Sequence, residues 1–222
     1  MADDPLEKTL VVHEICRTIQ GESSYVGLPC VLVRLAGCAQ SCRYCDTPQA
    51  RSFDAGAAMT IAQIVSKVEA LDCELVEITG GEPLAQPACA GLALCLVERG
   101  FQVLIETSGS YPIDVLPLQV VKIMDLKCPS SGECARNDFA NLDRLSSLDE
   151  VKFVIGDRGD YEWARDVVRE RGLAERCEVL FSPAFGHLEP RQLAEWILAD
   201  RLRVRLQIQL HKHIWGPEAK GV

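Results

Sequence analysis

No apolar run in this 222-residue chain approaches the ~20 residues that a membrane-crossing helix needs. Aromatic residues are few, at 6%, and no tract repeats or narrows to a few residue types, which excludes coiled-coil, collagen-like and mucin-like chains. Positive charge is also short: 23 Lys and Arg face 32 Asp and Glu, for a formal net charge of −9. Phosphate backbones are held by clustered Lys and Arg, so nucleic acid is not the expected partner. An anionic small molecule can still find a locally basic pocket. The opening MADDPLEKTL is acidic and polar, unlike a secretory signal, and no stretch reads as a linker. The expectation is one cytoplasmic domain spanning residues 1–222. With 48% hydrophobic residues the chain is not disordered, and at this length it buries roughly 70% of its unfolded surface without disulfides.

Apolar strand-like runs alternate with helix-like ones. The strands are expected at Leu10–Ile15, Cys30–Leu35, Glu74–Thr79, Gln102–Glu106, Val120–Leu126, Glu150–Ile155, Cys177–Phe181 and Arg203–Leu210. Helices are expected at Thr60–Leu71, Ala88–Arg99, Asp138–Ser146, Tyr161–Arg171 and Pro190–Ala199. Thr60 suits an N-cap, and Gly100 and Gly172 stand where helices stop. This alternation predicts an α/β fold, a parallel sheet covered by helices, with ligands gathering at the carboxyl ends of its strands.

What the chain has in excess is cysteine: eleven, an odd number, in a sequence expected to sit in a reducing compartment. Only Cys38, Cys42 and Cys45 cluster, spaced by three residues and then two, just beyond the strand Cys30–Leu35. Zinc and iron–sulfur sites normally take four ligands, and no fourth stands nearby. Three thiolates on a cubane leave one iron open to a substrate; a zinc site completed from afar, or buried thiols, are the alternatives. Cys73, Cys89, Cys95 and Cys177 read as small core hydrophobes. Cys128 and Cys134 could hold a second metal, although two cysteines alone are a weak signal for one.

Other polar groups close apolar runs. Gly80-Gly81-Glu82-Pro83 offers bare backbone to a ligand or simply a tight turn. Thr107 and Ser108 suit a ribose or a polar turn, and Asp125 with Lys127 suits a barrel mouth or a surface ion pair. The stretch from Ser182 to Phe185 suits a pocket edge or another turn.

The cysteine triplet after the strand Cys30–Leu35, followed by Thr79-Gly80-Gly81-Glu82-Pro83, resembles the radical S-adenosylmethionine (SAM) enzymes. The resemblance implies a full or partial TIM-like (β/α) barrel. It also implies a [4Fe-4S] cluster on Cys38, Cys42 and Cys45, whose open iron chelates SAM and whose electron releases a 5′-deoxyadenosyl radical. SAM contacts would come from Tyr44, Asp46, Gly80, Gly81, Asp125, Leu126, Lys127, Ser182, Pro183, Ala184 and Phe185. The segment from Ile15 to Glu22, with Arg34 to Cys38, Cys45-Asp46-Thr47 and Gln209-Leu210-His211-Lys212 before Trp215-Gly216, is similar to the 7-carboxy-7-deazaguanine synthases. That family implies a carbon–nitrogen lyase of queuosine biosynthesis acting on 6-carboxy-5,6,7,8-tetrahydropterin. It places substrate on Ile19, Gln20, Gly21, Glu22, Arg34 and Thr79, and Mg2+ on Thr47. It further implies a homodimer, a flavodoxin- or ferredoxin-type electron donor and, in some members, a C-terminal carboxylate that reaches the substrate. The chain departs from this last feature, because its tail runs from Pro217 to Val222 past Gly216. A glycyl-radical-activase-like enzyme and a non-catalytic zinc or iron–sulfur module are the rival readings.

Overall fold

The computed structural model describes residues 4–219 and 221. One sheet runs through it, formed by β1 (Thr9–Ile19), β2 (Pro29–Leu35), β3 (Ala57–Thr60), β4 (Leu75–Gly80), β5 (Gln102–Thr107), β6 (Val121–Leu126), β7 (Glu150–Ile155), β8 (Glu178–Pro183) and β9 (Arg205–Leu206). Their spatial order is β3-β1-β2-β4-β5-β6-β7-β8-β9. Every pairing from β2 to β9 is parallel, as the alternation of strands and helices predicts. The edges β3 and β9 do not meet, so the sheet forms an open, partial barrel. No helix among the described residues is long and apolar enough to cross a membrane.

The parallel expectation fails at one end. Strand β1 runs antiparallel to both β2 and β3. The loop Gln20–Leu28 between β1 and β2 carries no helix, and a parallel return needs a crossover. Strand β3 escapes sequence reading because Ala57-Ala58-Met59 has no alternating pattern. Two further expectations are corrected. Asp138–Ser146 holds only a 3-10 turn, Phe139–Arg144, because Asp138 caps it tightly and buried Asn141 turns its side chain to the loop at Gly109 and Tyr111. Of Arg203–Leu210, only Arg205–Leu206 pairs with β8; the chain then swings away as Leu210 N–H donates to Gly21 O at 2.9 Å.

The helices are α1 (Ile61–Ala70), α2 (Cys89–Glu98), α3 (Arg158–Arg171), α4 (Pro190–Ala199) and α5 (Leu210–Trp215). Thr60 and Gln63 form a capping box on α1, whose apolar stripe Ile61, Ile64, Val65 and Val68 is buried. Helix α3 starts ahead of the expected Tyr161 because the Asp157 side chain accepts from Asp160 N–H. Outward-facing Val31, Val33, Leu35, Val76 and Ile78 pack with α1 and α2 in one core, while Phe153, Ile155 and Phe181 pack with α3 and α4 in another. The Val222 carboxylate lies outside the described residues.

Candidate active site

The opposite, inward faces of the strands change polarity along their length. Cys30, Leu75, Leu104, Val121 and Ile123 form an apolar floor inside the barrel. Side chains alternate along a strand, so the next inward residue stands two positions on. Those next residues are Glu77 on β4, Glu106 on β5, Asp125 on β6 and Lys152 on β7. A charged layer therefore lies above the floor, toward the carboxyl ends.

Lys152 is its centre. Its ammonium donates to Glu22 Oε2 at 2.8 Å and to Glu106 Oε1 at 3.1 Å, with the Lys152 side chain only 6% exposed. Burial works against its charge, but Glu106, Glu22 and Asp125 outweigh that and hold the ammonium well above its ordinary pKa. Glu22 shows the reciprocal balance: burial pushes it up, while Lys152, His211 and Gln209 pull it down to about 2. Glu106 and Glu77 are raised, mainly by burial. Thr79 Oγ1 donates to Glu106 Oε2 at 3.3 Å. Further out, Lys127 Nζ meets Asp125 Oδ2 at 2.9 Å.

The loop after β1 enters this layer from one side and α5 closes on it from the other. Gln209 Nε2 bridges Glu22 Oε1 at 2.9 Å and Asp46 Oδ2 at 3.0 Å, tying the N-terminal loop to the cysteine loop. Lys212 Nζ donates to Gln209 Oε1 at 2.6 Å and lies over the exposed Phe185 ring, 5.1 Å from its centroid. Gly21 permits the contact: a Cβ there would stand 2.2 Å from His211 Nδ1. Gly21→Ala is therefore expected to lift α5 off the site. Hydrogen exchange of the amides from Leu210 to Trp215 should accelerate at least tenfold, with little change in α1; unchanged exchange would show that the helix accommodates the methyl group.

The cysteine loop leaves the end of β2. Its backbone is held from outside by the irregular segment after β6: Arg43 N–H donates to Ser131 O at 3.0 Å, and Ser41 N–H to Glu133 Oε1 at 2.8 Å. Tyr44 Oη donates to Val154 O at 3.1 Å. Cys38, Cys42 and Cys45 are half-buried free thiols. Burial raises the first two thiols, against the lowering effect of nearby Lys127 on both. Three unpaired cysteines on one short loop fit a cubane with an open corner. Asp125 Oδ1 is buried with no partner, an acceptor left for a hydroxyl or ammonium of a bound nucleoside. Glu22, Asp46 and His211 bring ligand atoms within 4.8 Å of one another, and Thr47 follows Asp46 in the chain; the two carboxylates suit Mg2+.

Several expected residues take other positions. Gly80 and Gly81 have no room for a side chain: added Cβ atoms would stand 2.0 Å from Leu35 O and 2.4 Å from Gly37 O. Thr107 and Ser108 are taken up by Glu82, which is 1% exposed and accepts from both hydroxyls, Ser108 N–H and Leu84 N–H, so neither is free for a ribose. Leu126 turns its side chain into the helix-side core, leaving only its backbone at the mouth. Ser182, Pro183 and Ala184 are buried at the end of β8, with Ala184 N–H on Ile155 O at 2.8 Å. Ile19 ends β1 opposite Pro29, and Arg34 Nε pairs with Glu14 Oε1 at 2.7 Å. Cys128 is sealed in the core. Glu77 and Lys152 were missed by sequence reading; a charged residue interrupting an apolar strand was the available signal for each.

An open barrel of parallel strands with three free cysteines beyond its first parallel strand defines the class: residues 32–172 match the Radical SAM superfamily. The chain is 48% identical, over 97% of its length and 99% of the relative's, to the 7-carboxy-7-deazaguanine synthase of Chlorobaculum tepidum. It is 47% identical, over 95% of its length and 99% of the relative's, to that of Koribacter versatilis. The crystal structure of QueE from Escherichia coli superposes with a TM-score of 0.79 at 21% identity, covering 95% of this chain and all of that one, and so shares its fold. Within the superfamily, the chain belongs to the 7-carboxy-7-deazaguanine synthase family.

Proposed function

We propose that this chain is a radical SAM lyase that contracts 6-carboxy-5,6,7,8-tetrahydropterin to 7-carboxy-7-deazaguanine with loss of ammonia, in queuosine biosynthesis. The observation that carries this reading is the polar chamber itself. Gln20, Glu22, Glu106 and Lys152 meet inside the barrel next to the cysteine loop, and α5 covers them. Such a chamber suits a small heterocycle rich in donors and acceptors; a glycyl-radical activase would instead need an open groove for a protein segment. Cys38, Cys42 and Cys45 would hold the [4Fe-4S] cluster, which together with SAM would supply radical chemistry at the substrate. Asp125, Lys127 and the segment from Ser182 to Phe185 would hold SAM, and Thr47 would ligate Mg2+, which would supply charge neutralisation. Glu22 and Gln20 offer an acceptor and an amide along the pterin edge.

Arg34 binds the substrate carboxylate. Its Nε is anchored on Glu14, and no described residue takes its terminal nitrogens, which leaves them for the ligand. Arg34→Ala is expected to raise KM roughly tenfold or more, as losing charge-assisted hydrogen bonds implies. The whole chain acts as one cytoplasmic radical SAM domain, works as a homodimer and draws its electron from a flavodoxin- or ferredoxin-type donor. Mass spectrometry of products from the anaerobically reconstituted chain with the tetrahydropterin tests the assignment. A product one ammonia lighter, formed only with SAM and reductant, supports it; SAM cleavage without any such product refutes it.

A further inference from the structure

Gln20 is 1% exposed, and both ends of its amide are already engaged. Its Oε1 accepts from Glu22 N–H at 2.5 Å, and its Nε2 donates to Glu77 Oε1 at 3.0 Å. A flipped amide would set its oxygen against the Glu77 carboxyl and its NH2 against the Glu22 N–H, so the pair of contacts fixes one orientation. One amide N–H is then left over.

Glu77 has no cation of its own among the described residues: Lys152 is shared by Glu22 and Glu106, and Arg34 is on Glu14. It is 5% exposed, directly above Leu75 and beside Leu104, its register partner on β5. A buried position next to that apolar floor would take a leucine or valine for packing alone. Burial, then Glu106 and Glu22, push its pKa well above the ordinary carboxylate value and favour the neutral acid. A neutral acid keeps a carbonyl oxygen as acceptor without adding a second buried charge beside Glu106.

We infer that Glu77 is a positioning residue that locks the Gln20 amide, so that the remaining Gln20 N–H is aimed as a donor at an acceptor atom of the bound heterocycle. The inference rests on the reading of Gln20 as a substrate contact. Glu77 acts through Gln20 and touches neither the cluster loop nor Asp125 in any described hydrogen bond.

The test compares Glu77→Leu, Glu77→Gln, Gln20→Ala and the double variant Glu77→Leu/Gln20→Ala in the reconstituted enzyme. Steady-state turnover is read together with calorimetric binding of the tetrahydropterin to the SAM-free protein. Glu77→Leu is expected to raise KM and the binding Kd together, roughly tenfold or more, with kcat within about threefold. Glu77→Gln, which keeps the acceptor at the same volume, recovers most of that loss. The double variant is no worse than Gln20→Ala alone, because the two residues form one path. Multiplicative losses in the double variant, or a Glu77→Gln as impaired as Glu77→Leu, overturn the inference. Iron content and far-UV circular dichroism, measured on each variant before assay, report cluster loading and folding independently of turnover. If the unsubstituted enzyme neither binds nor converts the tetrahydropterin, the functional reading fails instead, and the two failures are thereby distinguished.

Discussion

Replacing any one of Cys38, Cys42 and Cys45 by alanine is expected to abolish activity while leaving the fold in place. The three thiols are half-buried on one loop, and no fourth cysteine shares that loop. Two remaining thiolates cannot retain a cubane that already has one corner open. After anaerobic reconstitution, iron should fall from about four atoms per chain to well below one, and SAM cleavage should drop to background. Cys128→Ala serves as the control: that thiol is sealed in the core, so iron loading persists. A full iron load in Cys42→Ala would remove the cysteine loop from the assignment.

The second large effect is on stability. Lys152→Met leaves Glu22 and Glu106 buried without their shared ammonium. Breaking a buried pair from one side costs about 3–5 kcal/mol, which for a chain of this size lowers Tm by roughly 10 °C or more. The sign of the pH dependence follows from the two states. In the intact protein, Glu22 titrates at about 2 when folded and near 4.5 when unfolded, so its stabilisation is present above 4.5 and is lost as pH falls toward 2. Without Lys152, burial dominates and the folded pKa of both carboxyls lies above the unfolded value. Their contribution is then best at low pH and is lost as pH rises. The deficit against the unsubstituted protein should therefore be larger near pH 8 than near pH 5 by calorimetry. A deficit under about 1 kcal/mol, or one independent of pH, would mean that the charged layer does not hold the barrel together. Glu106→Gln in the Lys152→Met background should recover part of the loss, since it removes one unpaired charge.

The sequence carried the parallel part of the fold because the strands from Cys30 to Phe181 are compact apolar runs, all but Gln102–Glu106 with a helix pattern behind them. It also carried the cysteine loop, whose spacing is local. What escaped depends on contacts distant along the chain. Strand β3 exists only because β1 pairs with it in the register Thr9–Thr60 to Val12–Ala57. Helix α5 begins where the expected strand Arg203–Leu210 ends, at Leu210, whose N–H is held by Gly21 O from far earlier in the chain. Thr107 and Ser108 looked free as letters, and nothing local shows that Glu82 takes both hydroxyls. The charge of Lys152 within an apolar strand marks it in the sequence, but its role does not show there, because its partners Glu22 and Glu106 come from another strand and a loop.

The hydrogen bonds from Arg43 and Ser41 to the segment after β6 have one more consequence. They fasten the cysteine loop to the rest of the protein through two main-chain N–H donors, the Ser131 carbonyl and the Glu133 carboxylate, with no sulfur among them. Exchanging one of the three cysteines therefore leaves both of these anchors intact.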